Sequence, residues 1–358
     1  MLKQTGLRFS LVILVGVLLG LVMSLGPGGH VAMSQNSNTL KVGLIVPASK
    51  TDHGWNEQAA DSLLALEGPL NIKVEIAEQA GYGDISPIFL DFAKRGFDLV
   101  ICHASGYQTI CPELAKQTGV KTAVVENPHA VAKGLVSDYE SQAQDVAYLA
   151  GVAAGLMTKT NIVGIVVSGE PPTWNFITTG FAEGLHSVNP NAHLLYTLIG
   201  AAAYEDVADA KRDTAAELAA GADVILGQGD GASFGMMQAI SEKKKNSGKQ
   251  VWFIDVIGDK RSLDTEGVLL TSVLFDFTKV FTPMIQDIRN GDFGKVYTLD
   301  MANGGMRLLD FPGSVPAKVR AAVAQAKANI LSNKLQVPAI SDPGQMHKLL
   351  KKLFPGSF

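Results

Sequence analysis

A chain of 358 residues with 30 Lys+Arg against 34 Asp+Glu, net charge −4, has no basic surplus to track a phosphate backbone, which excludes a nucleic-acid partner. At 47% hydrophobic residues it can bury a large core, and its length suits two compact lobes rather than one. Its 2 cysteines are too few for a disulfide framework or a cysteine-rich metal site.

In chain order, Lys3 and Arg8 precede an apolar run over 9–25, the layout of a secretory signal. Gly26-Pro27-Gly28-Gly29 breaks any helix, and Ala32-Met33-Ser34 offers small residues to a peptidase, which sets a signal peptide at 1–34. The run also approaches the ~18 apolar residues of an uncleaved anchor. Neither Cys102 nor Cys111 lies directly behind it, so a lipid-modified N-terminus is not expected. The chain is expected to be exported, working in the periplasm or on the outer face of the cytoplasmic membrane.

From Leu40 onward, runs over 40–46, 99–102, 121–125, 162–167, 224–226, 250–255 and 268–273 read as strands, most of them apolar on both faces. That is the mark of a parallel sheet covered by helices. Helical patterns over 56–67, 86–94, 142–157, 176–187, 208–219, 234–242 and 277–289 alternate with them. Two successive sets of βαβ units predict an α/β protein of two doubly wound parallel-sheet lobes, with ligands held beyond the C-terminal ends of the strands. An alanine-rich helix over 317–331, a loop, and a short basic amphipathic helix over 346–354 complete the chain.

Candidate chemistry sits where strands end. Asp52-His53-Gly54-Trp55-Asn56 follows the first strand: Trp55 offers a flat face, and Asn56 is either an amide reader of a ligand edge or simply a helix cap. Ser168-Gly169-Glu170-Pro171-Pro172-Thr173-Trp174 presents a second tryptophan on a proline-stiffened loop. Two such rings suit a flat heteroaromatic ligand. Gly227-Gln228-Gly229-Asp230-Gly231-Ala232, with Asp255 ending the next strand, formally fits a dinucleotide pattern. A carboxylate at Asp230 beside a pyrophosphate argues for a small-ligand loop instead. Cys102 and Cys111 flank one loop; a bridge is open to them, but two buried thiols are the expectation.

Nucleophile, metalloprotease and P-loop motifs are absent. His53, His103 and His129 stand without an evident nucleophile and read as solvated or core residues. No cofactor and no metal are called for.

Further segments occur in a telling order: Lys41-Val42-Gly43-Leu44-Ile45, Gly54-Trp55-Asn56, Leu149-Ala150-Gly151 through Met157-Thr158-Lys159-Thr160, Gly180-Phe181, Gly221-Ala222-Asp223 and Leu270-Thr271-Ser272-Val273. Together they resemble the BMP family of ABC-transporter substrate-binding proteins, the group containing purine nucleoside receptor lipoproteins. The resemblance implies a type I periplasmic binding fold with a three-crossover hinge and a small-molecule solute as ligand. It also implies delivery to a membrane permease driven by a separate ATPase, with the binding protein itself a monomer. The implied lobes are 40–139 plus 274–297 and 140–273 plus 298–335, with a tail at 336–358.

Carried over by position, the resemblance places the aromatic–amide pair on Trp55 and Asn56, a second aromatic on Tyr204, and the ligand-loop glycine on Gly229. The acid ending the next strand falls on Asp255, and Glu126 loosely matches an acid after the fourth strand. Two positions depart: Val46 stands where an aspartate would hold a ribose, and Phe275 where a lysine is expected. Without those groups a ribose goes unsatisfied, so the expected ligand is a purine-like nucleobase or a similar small planar heterocycle. The expected site is Trp55, Asn56, Glu126, Trp174, Tyr204, Gly229, Asp230, Asp255 and Phe275. A ligand-sensing module for a membrane receptor is the alternative, and an exported nucleotide-cofactor enzyme a more distant one.

Overall fold

Strands that are apolar on both faces occupy sheet centres, where helices cover them from either side. The computed structural model describes residues 39–357, so the expected signal peptide lies outside the described residues. One sheet contains β1 (Leu40–Ile45), β2 (Ile72–Ala77), β3 (Leu99–Cys102), β4 (Lys121–Val125), β5 (Val136–Ser141) and β11 (Val296–Leu299). Its order is β11-β5-β4-β3-β1-β2 and every pairing is parallel. The other contains β6 (Ile162–Val167), β7 (His193–Leu198), β8 (Val224–Gln228), β9 (Trp252–Ile257), β10 (Leu269–Phe275) and β12 (Met306–Leu308). Here the order is β12-β10-β9-β8-β6-β7, parallel except for the β10–β12 pair.

The chain crosses between sheets after β5, after β10 and again after β11. These are the three crossings of a type I periplasmic binding fold. Both sheets reverse their strand order beside their first strand, so both sets of C-terminal strand ends open onto the gap between them.

The helices are α1 (Trp55–Leu64), α2 (Ser86–Lys94), α3 (Ile110–Thr118), α4 (Ala143–Met157), α5 (Pro172–Val188), α6 (Val207–Ala219), α7 (Ala232–Ser247), α8 (Thr278–Asn290), α9 (Ala317–Leu331) and α10 (Pro343–Leu353). In the second lobe, α4 and α5 pack backbone to backbone. A Cβ at Gly151 would sit 2.1 Å from the Phe181 carbonyl oxygen, and one at Gly180 2.0 Å from that of Gln144. Only glycine permits that approach. Asp223, ahead of β8, accepts hydrogen bonds from Thr158 Oγ1 and from the Lys159 and Thr160 amides. The tail docks on the same lobe: Met346, Leu350 and Phe354 are buried, and Asp342 caps α10 by accepting from the Gln345 amide at 2.8 Å.

Two expectations are corrected. Five strands lay unread in the sequence (β2, β5, β7, β11 and β12); four of them are sheet edges and β5 is next to an edge. Cys102 and Cys111 are joined as a disulfide rather than left as thiols. A turn of 3-10 helix over Ser105–Tyr107 folds the chain back, so Cys111 in the first turn of α3 comes 6.7 Å from the Cys102 Cα, within bonding range.

Candidate functional site

Loops leaving the C-terminal ends of seven parallel strands enclose a cavity of about 230 Å³. Pro47, Trp55, Tyr82, Ser105 and Glu126 come from the first lobe, and Pro171, Thr173, Trp174, Tyr204 and Asp230 from the second. The wall contains four large aromatic rings and two carboxylates, with no lysine, arginine or histidine.

Trp55 is held by contacts within its own lobe. Its indole Nε1 donates to the His103 carbonyl at 3.1 Å, and its ring stacks on that imidazole at 4.4 Å and 12°. Phe277 meets the indole edge-on at 5.2 Å. From the opposite lobe, Trp174 stands perpendicular to Trp55, at 6.4 Å and 89°, and its Nε1 donates to Ser168 Oγ at 3.2 Å. Tyr204 in turn lies 6.5 Å from Trp174 at 77°, and Tyr82 tilts against Tyr204 at 5.4 Å. Successive near-right angles produce a box: one ring forms the floor, another a side, a third a facing wall.

Each carboxylate spans the gap between lobes. Glu126, just past β4, sits at φ 61°, a left-handed conformation that turns its side chain toward the second lobe. There Glu126 Oε1 accepts from the Thr173 amide at 2.8 Å, while Oε2 accepts from Ser105 Oγ at 2.7 Å. Burial pushes this carboxyl above its ordinary range, and the bonds from Thr173 and Ser105 pull it back in part. Asp230, just past β8, accepts from the Trp55 amide through Oδ1 at 3.1 Å. Its pKa is raised well above the ordinary value by burial first, then by the negative charges of Asp52 and Glu205, with Lys260 opposing. Carboxylate oxygens of Asp52, Glu205 and Asp230 all lie within 4.8 Å of one another.

Of the nine residues expected from sequence, Trp55, Glu126, Trp174, Tyr204 and Asp230 line this cavity, and the other four lie elsewhere. Asn56 is fully buried, its Nδ2 donating to Asp52 Oδ2 at 2.7 Å beneath the first turn of α1. Asp255 forms a fully buried ion pair with Lys260 at 2.6 Å. Phe275 packs edge-on behind Trp55 at 6.0 Å. Gly229 leaves room for Ala232, whose Cβ would lie 2.9 Å from a Cβ placed there. The neighbouring glycines are likewise close-packed, Gly227 against Met236 and Phe253 and Gly231 against Glu205. Sequence reasoning passed over Tyr82, Ser105 and Thr173. Tyr82 follows the unread strand β2, so no strand end pointed to it.

The loop before α5 is also braced from behind. Glu170 Oε1 accepts from Tyr196 OH at 2.7 Å and pairs with His347 Nε2 of α10 at 2.7 Å. Asn175 Nδ2 donates to the carbonyls of Glu170 and Ser341. The docked tail therefore holds the segment that presents Thr173 and Trp174.

Residues 39–341 match the family described as Bmp, ABC transporter substrate-binding protein PnrA-like. Over 327 residues the chain is 25% identical to the ABC transporter nucleoside-binding protein BmpA of Lactococcus lactis subsp. cremoris, covering 84% of this chain and 89% of that one. It is 27% identical over 254 residues to the transcriptional activator protein med of Bacillus subtilis, covering 70% and 75%. A crystal structure of an ABC transporter solute-binding protein from Aeropyrum pernix superposes with a TM-score of 0.78 at 17% identity, covering 89% and 98%. That likeness is one of fold.

Proposed function

The chain belongs to the PnrA-like family of ABC transporter substrate-binding proteins, and from that premise we propose that it captures a purine nucleobase or a similar small planar heterocycle in the interlobe cavity. The family is one of extracytoplasmic solute-binding proteins that serve a membrane permease and its ATPase, and among the described residues no helix is long and apolar enough to cross a membrane. The captured base passes on unchanged.

One observation carries the reading: a ring box of Trp55, Trp174, Tyr204 and Tyr82 around about 230 Å³, with Glu126 and Asp230 at its sides. The volume falls below the ~300–1,000 Å³ of sites for drug-sized ligands. Flat faces favour stacking, worth ~1–3 kcal/mol per base, and the carboxylates accept from ring or amino N–H groups. An anion finds no counter-charge in this wall. Val46 is fully buried, Phe275 nearly so, and neither lines the cavity, so the two positions that depart from the ribose-holding pattern bring no polar group to a sugar.

The test is a thermal-shift and calorimetric screen of nucleobases against their nucleosides. A base at ~100-fold over its Kd adds ~2.7 kcal/mol of stability, and Trp55→Ala or Tyr204→Ala abolishes the shift. Tighter binding of nucleosides than of bases, or no shift with any base, overturns the reading. The likeness to a transcriptional activator favours a second reading, a ligand-sensing module. Unimpaired uptake of the ligand in cells lacking the protein would decide for sensing.

A further inference from the structure

Helix N-termini leave N–H groups without partners inside the helix. In α1, three of the four N–H groups from Gly54 to Glu57 are held by Asp52, which accepts from Gly54 at 2.9 Å, Asn56 at 3.2 Å and Glu57 at 3.0 Å. The remaining one, the Trp55 amide, is taken by Asp230 of the other lobe. In α5, Pro171 and Pro172 have no N–H, so Thr173 carries the first available donor, and its partner is Glu126 of the first lobe. Each lobe thus finishes capping a helix of the other.

We propose that these two reciprocal caps are the latch of the closed state, so that lobe angle and cap completion are one event. Opening strips the last cap from both helices together and exposes two carboxylates; closing restores both on opposite sides of the cavity. Each accepting oxygen meets an N–H at a helix N-terminus that has no partner within its own helix. Glu126 and Asp230 then work chiefly on the lobes, and the aromatic rings on the ligand.

Thr173→Pro tests this directly. It deletes the donor while leaving Glu126 in place, and proline is tolerated in the first turn of a helix. The chain has no free cysteine, so Lys94→Cys and Lys245→Cys accept a dye pair, one on each lobe. In the full chain, Thr173→Pro and, from the opposite side, Asp230→Ala each shift the dye distance toward a wider separation. Adenine, as probe, leaves each variant about ten-fold faster than the parent. If Thr173→Pro fails to melt cooperatively, Asp230→Ala carries the test alone. Parent-like dye distances in whichever variants fold overturn the latch. Because that distance needs no ligand, a parent that ignores adenine and every other base of the screen overturns the nucleobase reading and leaves the latch to be decided by distance.

Discussion

His103 and Trp55 hold each other by reciprocal bonds: the indole donates to the histidine carbonyl, and His103 Nε2 lies 3.0 Å from the Trp55 carbonyl. That contact requires an N–H at Nε2, which leaves Nδ1 to accept from Tyr139 OH at 2.5 Å. Full burial pulls the imidazole pKa down from 6.5 to about 3, so the ring stays neutral. The folded protein therefore binds fewer protons here than the unfolded chain. Its stabilising contribution is complete above pH 6.5 and is lost as pH falls toward 3. His103→Leu is expected to flatten this acid limb in urea titrations. It also costs ~1–3 kcal/mol at pH 7.5 by orphaning Tyr139 OH, and weakens binding by releasing Trp55.

The Cys102–Cys111 disulfide closes a short loop that carries Ala104, Ser105 and Gly106 to the cavity. Restricting so short a loop in the unfolded chain contributes ~2–3 kcal/mol, and the bond suits an oxidising compartment. Replacing both cysteines by serine should lower the melting temperature and weaken ligand affinity together. Reductant should do the same to the parent and nothing to the variant.

The sequence was legible where burial is symmetric. Central strands such as β3 and β6 are continuous apolar runs because helices cover both faces. Edge strands such as β2, whose burial is only partial beyond Ile72, lack that signal. In β5 the reason differs: Ser137 and Asp138 are polar yet buried, since Ser137 Oγ accepts from the Gly294 amide and Asp138 Oδ1 from the Asn127 amide. The segments that carried the family resemblance, Leu149-Ala150-Gly151 and Gly221-Ala222-Asp223, turn out to build the second lobe. They glue α4 to α5 and fasten the turn after α4. Within the site, Trp55 and Trp174 could be read from their places after strands, Tyr204 came from the family resemblance, and Tyr82 was hidden behind the unread β2. Which polar groups face the cavity could not, because Asn56 and Asp255 are taken up by Asp52 and Lys260, neighbours whose partnership exists only in three dimensions.

Glu217 sets the alkaline limb. Its Oε1 accepts from Thr197 Oγ1 at 2.8 Å, and Oε2 is buried without a hydrogen-bond partner. Burial raises this carboxyl from 4.5 to about 8. The folded state therefore holds a proton that the unfolded chain has already released. Stability falls as pH rises from 4.5 toward 8, the reverse of the His103 effect. Glu217→Gln should be more stable than the parent at pH 8 by ~1–3 kcal/mol and nearly equal to it at pH 5. Equal losses at both pH values would sink this assignment.

Two glycines mark where the lobes touch most closely. A Cβ at Gly54 would stand 2.8 Å from Asp230 Oδ1 and 3.0 Å from the Asp230 Cα, and one at Gly258 2.4 Å from the His53 carbonyl oxygen. In both cases the obstacle belongs to the opposite lobe and includes backbone, which does not swing aside as a side-chain tip does. Inside a core, such a clash destabilises by ~1–3 kcal/mol; at a seam between bodies joined by a hinge, rotation relieves it. Gly54→Ala and Gly258→Ala should therefore keep the melting temperature of the ligand-free protein while losing at least ten-fold in affinity. The loss should fall on the dissociation rate, because encounter occurs in the open form and residence requires the closed one. X-ray scattering with saturating ligand should show both variants wider than the parent. A melting temperature lowered in proportion to the lost affinity would place these glycines in the packing of a single lobe and remove the seam from the mechanism.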